Sequence, residues 1–338
     1  MRTSIVKILF SAVCAILFAQ GISAAEWNIT KWNYSSKDKE KEKKKAFSYA
    51  VNNASDGDII QLENDVDVTS DIEIYKRILV RSKSGIKTIK NIGRTYVCNI
   101  HPGGHLTMSN ITVDCENALR RTDLFHLKPM EIKAGANGSM VTNVSRMTIG
   151  GGATIKRVFL TSETQNENAA IHVKTGAVLR IQHGAMIQEC KNESVPGKGG
   201  AICCDYGTII MSGGTITGCS AVGDGGAIHT DGTRVDSVEV NGISARGDIY
   251  ISGGYITNNI CGAAKFGGAI YLGNSGPMLH ITGNPVITNN FRGSVQGGIP
   301  DDVSTYLLEN AYANRLKLVC HSEEIGRASC RERVFWIV

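Results

Sequence analysis

Aromatic residues make up only 6% of this 338-residue chain, and it holds only six prolines. An aromatic-poor core must be built from aliphatic side chains. Beyond the first 25 residues no apolar run is long enough to cross a bilayer, so no transmembrane segment is expected there. Neither sign of charge dominates: 36 basic against 31 acidic residues leave a net charge of +5. That balance argues against a nucleic-acid partner, which would ask for a basic stripe. Much of the small excess falls in "KDKEKEKKK" (Lys37 to Lys45), whose mixed signs read as a solvated linker. What the chain does have is 38 glycines and 42% hydrophobic residues. That profile suits many short strands joined by Gly-rich turns.

The two ends read differently from the middle. Residues 1–25 have the layout of a secretion signal: basic Arg2 and Lys7, the apolar run "ILFSAVCAILFA", then small Ser23-Ala24-Ala25. The mature protein is therefore expected to be extracellular or at the cell surface, with residues 26–44 as a charged linker. At the other end, "EIGRASCRERV" (Glu324 to Val334) resembles the translation of a common short-read sequencing adapter. Residues 324–338 are set aside as a non-native tail, and the native protein is expected to continue past Glu323. Setting aside Cys14 and Cys330, eight of the ten cysteines remain. An even number in an exported chain permits disulfides without demonstrating them.

Self-similarity decides the architecture. The phrase GGAI occurs three times, in "GKGGAICCDYG", "GDGGAIHTDG" and "FGGAIYLGN". One anchor series is Ile155, Ile187, Ile216, Ile256 and Ile287, spaced by 32, 29, 40 and 31 residues. A second is Ile171, Ile202, Ile228 and Ile270, with Gly298-Ile299 as a degenerate fifth member. A third apolar alternation follows in most units, as in "VLRI", "TIIM", "DIYI" and "MLHI". Three short strands per unit of about 30 residues predict an all-β fold, a right-handed parallel β-helix. Phe47, Ala50, Val51 and Ala54 share one helical stripe and predict an N-terminal capping helix over 45–54. The β-helix is expected over 45–323, with irregular coils at 59–150 and regular repeats at 151–300.

A capping helix, "GDIIQLENDV", and alternating "GGxI…N" and "GGAI" phrases resemble bacterial surface proteins of the pectin-lyase-like β-helix superfamily. The likeness is closer to polymorphic outer membrane proteins, whose repeats pair a GGA[IVL] phrase with an FxxN phrase. Here "ITNN" at Ile256 and Ile287 carries Ile in place of Phe, while "IQEC" and "ITGC" carry Cys190 and Cys219 in the Asn position. The likeness covers about residues 46 to 300. It implies an adhesin-like passenger that binds host, matrix or glycan ligands, with a host or matrix protein or a polysaccharide as partner. The alternative it implies is a polysaccharide lyase or glycoside hydrolase.

Aligning the "AI" strands predicts which side chains stand side by side. His172, Cys203, His229 and Tyr271 should face outward, with Lys174, Asp205, Asp231 and Gly273 two positions on and Ala170, Ala201, Ala227 and Ala269 as a shallow outer ladder. Three uses compete for this face. It could be a solvated surface. It could be a ligand-binding groove in which His172, His229 and Tyr271 stack while Asp205 and Asp231 accept hydrogen bonds. Or it could be a catalytic site in which Asp205 and Asp231 split their pKa values beside Lys174. His172, Cys203 and His229 are metal-ligating types, but a flat ladder is not expected to converge on one ion, so neither metal nor cofactor is expected. Cys190 and Cys219, on adjacent coils, are spaced to permit a disulfide. Finally, "RGD" at Arg246 to Asp248 lies in a long insertion, where it could be exposed.

Overall fold

A computed structural model describes residues 24–305, apart from 92–96, 135–139, 162–168, 233–238, 241–242, 245–246, 274–275 and 295–296. The leader and the adapter-like tail therefore lie outside the described residues, apart from Ala24 and Ala25.

Four stacks of strands run along the chain, each adding one strand per coil. The first stack has nine strands, from Glu26–Ile29 through Val178–Ile181 and Thr208–Met211 to Leu279–Ile281. The second has eight, from Val66–Asp67 to Val286–Thr288. The third, also of eight, carries the GGAI phrases. It runs from Ile72–Ile74 through Phe125–Leu127, Ile171–Val173, Ile202–Asp205, Ile228–Asp231 and Ile270–Leu272 to Val303–Thr305. Pairing within these three stacks is parallel throughout, and the molecule is a right-handed parallel β-helix.

The fourth stack goes beyond the three strands expected per coil. Its members are two residues long, such as Lys191–Asn192, Ser220–Ala221 and Ile260–Cys261. A single left-handed residue turns the chain into five of the seven: φ is 56° at Arg157, 55° at Glu189, 65° at Gly218, 59° at Asn258 and 58° at Asn289. Two-residue strands leave no periodic pattern in a sequence, which is why the extra face was not foreseen.

The isoleucine columns stack in the predicted register. Ile171 pairs with Ile202, Ile202 with Ile228, and Ile228 with Ile270, and all four are buried. Ile155, Ile187, Ile216, Ile256 and Ile287 form the second column in the same way. Ile299 is not a fifth member of the first. It is exposed and pairs antiparallel with Arg292, while Val303 sits beside Ile270 and ends the column. Ala170, Ala201, Ala227 and Ala269 correct another expectation, because they are fully buried in the lumen rather than outside. The chain is still rounding the corner at these positions, so the alanine and the isoleucine after it both turn inward.

The paired glycines do two different jobs. The first, as at Gly225, takes a φ of 73°, which side chains rarely adopt. The second has no space for a Cβ: one built on Gly226 would lie 2.1 Å from the Gly268 carbonyl oxygen of the next coil.

The cap is a helix over Phe47–Asn53 that buries Phe47, Ala50 and Val51, with Trp32 stacked on Phe47 at 4.5 Å. The segment expected to be a linker begins instead with a strand, Glu26–Ile29, paired with Ile59–Leu62. Asp58 holds it there, accepting from the Ala25 N–H at 2.8 Å and the Trp27 Nε1–H at 3.0 Å. Two antiparallel hairpins leave the coils where the chain passes from the third stack to the first. They are formed by Glu131–Ala134 with Met140–Asn143, and by Glu239–Val240 with Ile243–Ser244.

Candidate functional site

The third stack aligns the predicted outer residues as expected. His126 pairs with His172, His172 with Cys203, Cys203 with His229, and His229 with Tyr271. Asp205 lies beside Asp231 in the next row. Alternation turns Val173, Cys204, Thr230 and Leu272 toward the lumen and this series away from it.

Exposure is where the expectation fails. His172, Cys203, Asp205, His229 and Tyr271 are all buried, although they lie on the outer side of the sheet. The rings pack on one another along the coil axis, His126 edge-on to His172 at 5.2 Å and His229 tilted against Tyr271 at 5.3 Å. Lysine side chains then close over the carboxylates. Lys174 Nζ lies 2.7 Å from Asp205 Oδ2, and Lys198 Nζ lies 2.6 Å from Asp231 Oδ2. Lys198 comes from the loop before its GGAI phrase and carried no signal in the strand alignment.

Each carboxylate also takes a ring nitrogen. His172 Nε2 is 2.7 Å from Asp205 Oδ2, and His229 Nε2 is 3.0 Å from Asp231 Oδ2. The Cys203 thiol donates to Asp205 Oδ1 at 3.6 Å. Gly273, beside Asp231, leaves room for this carboxylate, since a Cβ there would lie 2.2 Å from Oδ1. The expected splitting of two carboxyl pKa values does not occur. Burial alone would raise Asp205, but His172 and Lys174 outweigh it and hold the group well below the usual carboxylate range. Burial opposed by His229 and Lys198 lowers Asp231 in the same way. Both are ionised at neutral pH, so neither holds a proton to donate as a general acid.

The ladder also converges more than its flatness suggested. Donor atoms of His172, Cys203 and Asp205 lie within 4.8 Å of one another, as do those of Asp123, His126 and His172. His229 is not part of the first group, because its ring turns to Asp231. Asp123 sits at a corner of an irregular coil, where no repeat marked it, and reaches His126 Nδ1 at 2.7 Å.

The remaining expected sites lie elsewhere. Cys190 and Cys219 stand in one buried column as unbonded thiols. A hydrogen bond with Cys219, together with burial, pushes the Cys190 thiol up. Asp248 of the RGD triplet is buried and accepts from the Met278 N–H at 2.9 Å, which removes the acid an exposed recognition loop would need. Arg246 lies outside the described residues.

A different feature carried no motif. In successive coils the connection from the fourth stack's parallel strands to the third stack exposes Val195, Val222, Phe266 and Ile299, which are 60%, 46%, 47% and 53% exposed. Arg292 lies over the Phe266 ring at 5.7 Å. These four side chains do not share a register: Phe266 lies level with Asp224 rather than with Val222, and Ile299 stands in a strand antiparallel to Arg292. No helix among the described residues is long and apolar enough to cross a membrane.

Fold and site together define a class: a right-handed parallel β-helix with a buried, charge-paired outer ladder and exposed apolar side chains on one flank. Comparison with protein-family models and with curated proteins finds no match.

Proposed function

We propose that this chain is the exported, surface-associated β-helix of an adhesin-like protein of the pectin-lyase-like superfamily, nearest in kind to polymorphic outer membrane proteins. It works by binding host, matrix or glycan ligands along a rigid flank. The observation that carries this reading is that Val195, Val222, Phe266 and Ile299 stay exposed on one flank, in the connections from the fourth stack to the third. Large apolar side chains left in water on successive coils cost solubility unless a partner covers them. The carboxylates that a lyase or hydrolase would use are instead engaged with histidines and lysines.

The test is binding of the purified full chain to arrays of matrix proteins and glycans. Saturable binding is expected, weakened at least tenfold by Val222→Asp and by Phe266→Asp with circular dichroism unchanged. Incubation with uronate polymers, with and without calcium, supplies the counter-test. Release of unsaturated or reducing-end product, abolished by Asp205→Ala, would replace the binding reading with the enzymatic one.

A further inference from the structure

His172 is the centre of the ladder, and its two ring nitrogens have different surroundings. Nε2 is engaged with Asp205 Oδ2 at 2.7 Å. Nδ1 is buried, in a residue only 3% exposed, and has no hydrogen-bond partner among the described residues. A buried polar atom left without a partner is costly, and a specific one in a native structure asks for an explanation.

A second observation stands beside it. Asp123, His126 and His172 bring one donor atom each within 4.8 Å of one another. We propose that these three side chains form a binding site for a divalent transition-metal ion of the zinc class, with His172 Nδ1, an imidazole nitrogen of His126 and a carboxylate oxygen of Asp123 as ligands. Two imidazoles and a carboxylate suit such ions rather than calcium or magnesium, which prefer all-oxygen shells. Asp205 takes the supporting role. A carboxylate that accepts from the far nitrogen of a ligating histidine fixes its tautomer and orientation, and here Lys174 in turn holds that carboxylate. His126 is the half-buried member of the three, so one side of the ion would face water. If His126 ligates through Nδ1, the contact it now makes with Asp123 Oδ2 gives way to the ion and its ring hydrogen sits on Nε2.

The neighbouring group of His172, Cys203 and Asp205 is the weaker site. Its donors already satisfy one another, and an ion there would have to displace the Lys174 ammonium from Asp205.

The experiment is titration of the chelator-treated full chain with cobalt(II) and zinc(II), followed by calorimetry and by visible absorption. One equivalent should bind stoichiometrically at micromolar protein. The cobalt form should show weak visible bands without the intense near-ultraviolet band of a thiolate ligand. His126→Ala and Asp123→Asn should each weaken binding at least tenfold, while Cys203→Ser leaves it within about twofold. Circular dichroism and melting confirm that each variant folds, and His126→Ala, being nearest the surface, remains interpretable if Asp123→Asn does not. Absence of stoichiometric uptake by the unaltered chain would overturn the proposal. So would a thiolate band, binding lost in Cys203→Ser, or binding retained in folded His126→Ala.

Discussion

His105 shows how a single buried ring makes the stability of this solenoid depend on pH. It lies on the first stack, with Nε2 against Thr148 Oγ1 at 2.9 Å and Arg77, Arg146 and Arg180 nearby. Burial, with help from the three arginines, pushes its pKa down to about 4. In the unfolded chain a histidine titrates near 6.5. The unfolded state therefore takes up the proton first, and stability is lost as pH falls from about 6.5 toward 4. Asp205 and Asp231, held low by their cations, add a further loss only below about pH 4. Urea midpoints measured from pH 7 to 4 should fall for the unaltered chain and fall less for His105→Gln. Identical slopes would show that the arginine-flanked ring is not the titrating group.

At the scale of an element, the corner after the second stack depends on a short run of stacked amides. Asn259 Nδ2 donates to Asn290 Oδ1 at 2.9 Å and to the Ile216 carbonyl at 3.2 Å, and its own Oδ1 accepts from the Cys219 N–H at 2.9 Å. Asn290 repeats the arrangement against Asp302, at 2.8 Å. Each amide thus satisfies backbone groups that the left-handed turn leaves without a sheet partner. Asn259→Ala should cost about 2–3 kcal/mol in urea unfolding, because it strands buried partners on two coils. Asn258→Ala, next door but exposed, should cost less than half as much. Cys190 and Cys219 occupy the same position in earlier coils, where each thiol meets a carbonyl at 3.5 Å and no amide is present to continue the run. The amide-to-amide run therefore begins at Asn259.

Over the whole molecule, stability is close to a sum of coils and the contacts between neighbours. The N-terminal end is closed by the helix Phe47–Asn53, by Trp32 stacked on Phe47, and by the strand Glu26–Ile29 on the first full coil. An uncovered coil would present strand edges to other chains. Phe47→Asp places a charge in that buried stack and should cost at least about 3 kcal/mol. Hydrogen exchange should then speed up in residues 24–82 while the GGAI coils keep their protection, and light scattering should report self-association. A uniform loss of protection along the chain would show that the coils unfold as one unit.

The sequence by itself determined the architecture. Side chains repeated once per coil have to meet their own counterparts, so the isoleucine columns, the glycine corners and the row His172, Cys203, His229 and Tyr271 could be aligned without coordinates. Tertiary structure alone decided whether that row meets water. Lys198 closes over Asp231 from a loop 33 residues earlier, and Asp123, three residues before His126 at an irregular corner, meets His172 of the next coil, contacts that no shared motif marks. The exposure of Val195, Val222, Phe266 and Ile299 was likewise decided by the fold, because nothing in the chain says which apolar residue of a connection stays outside.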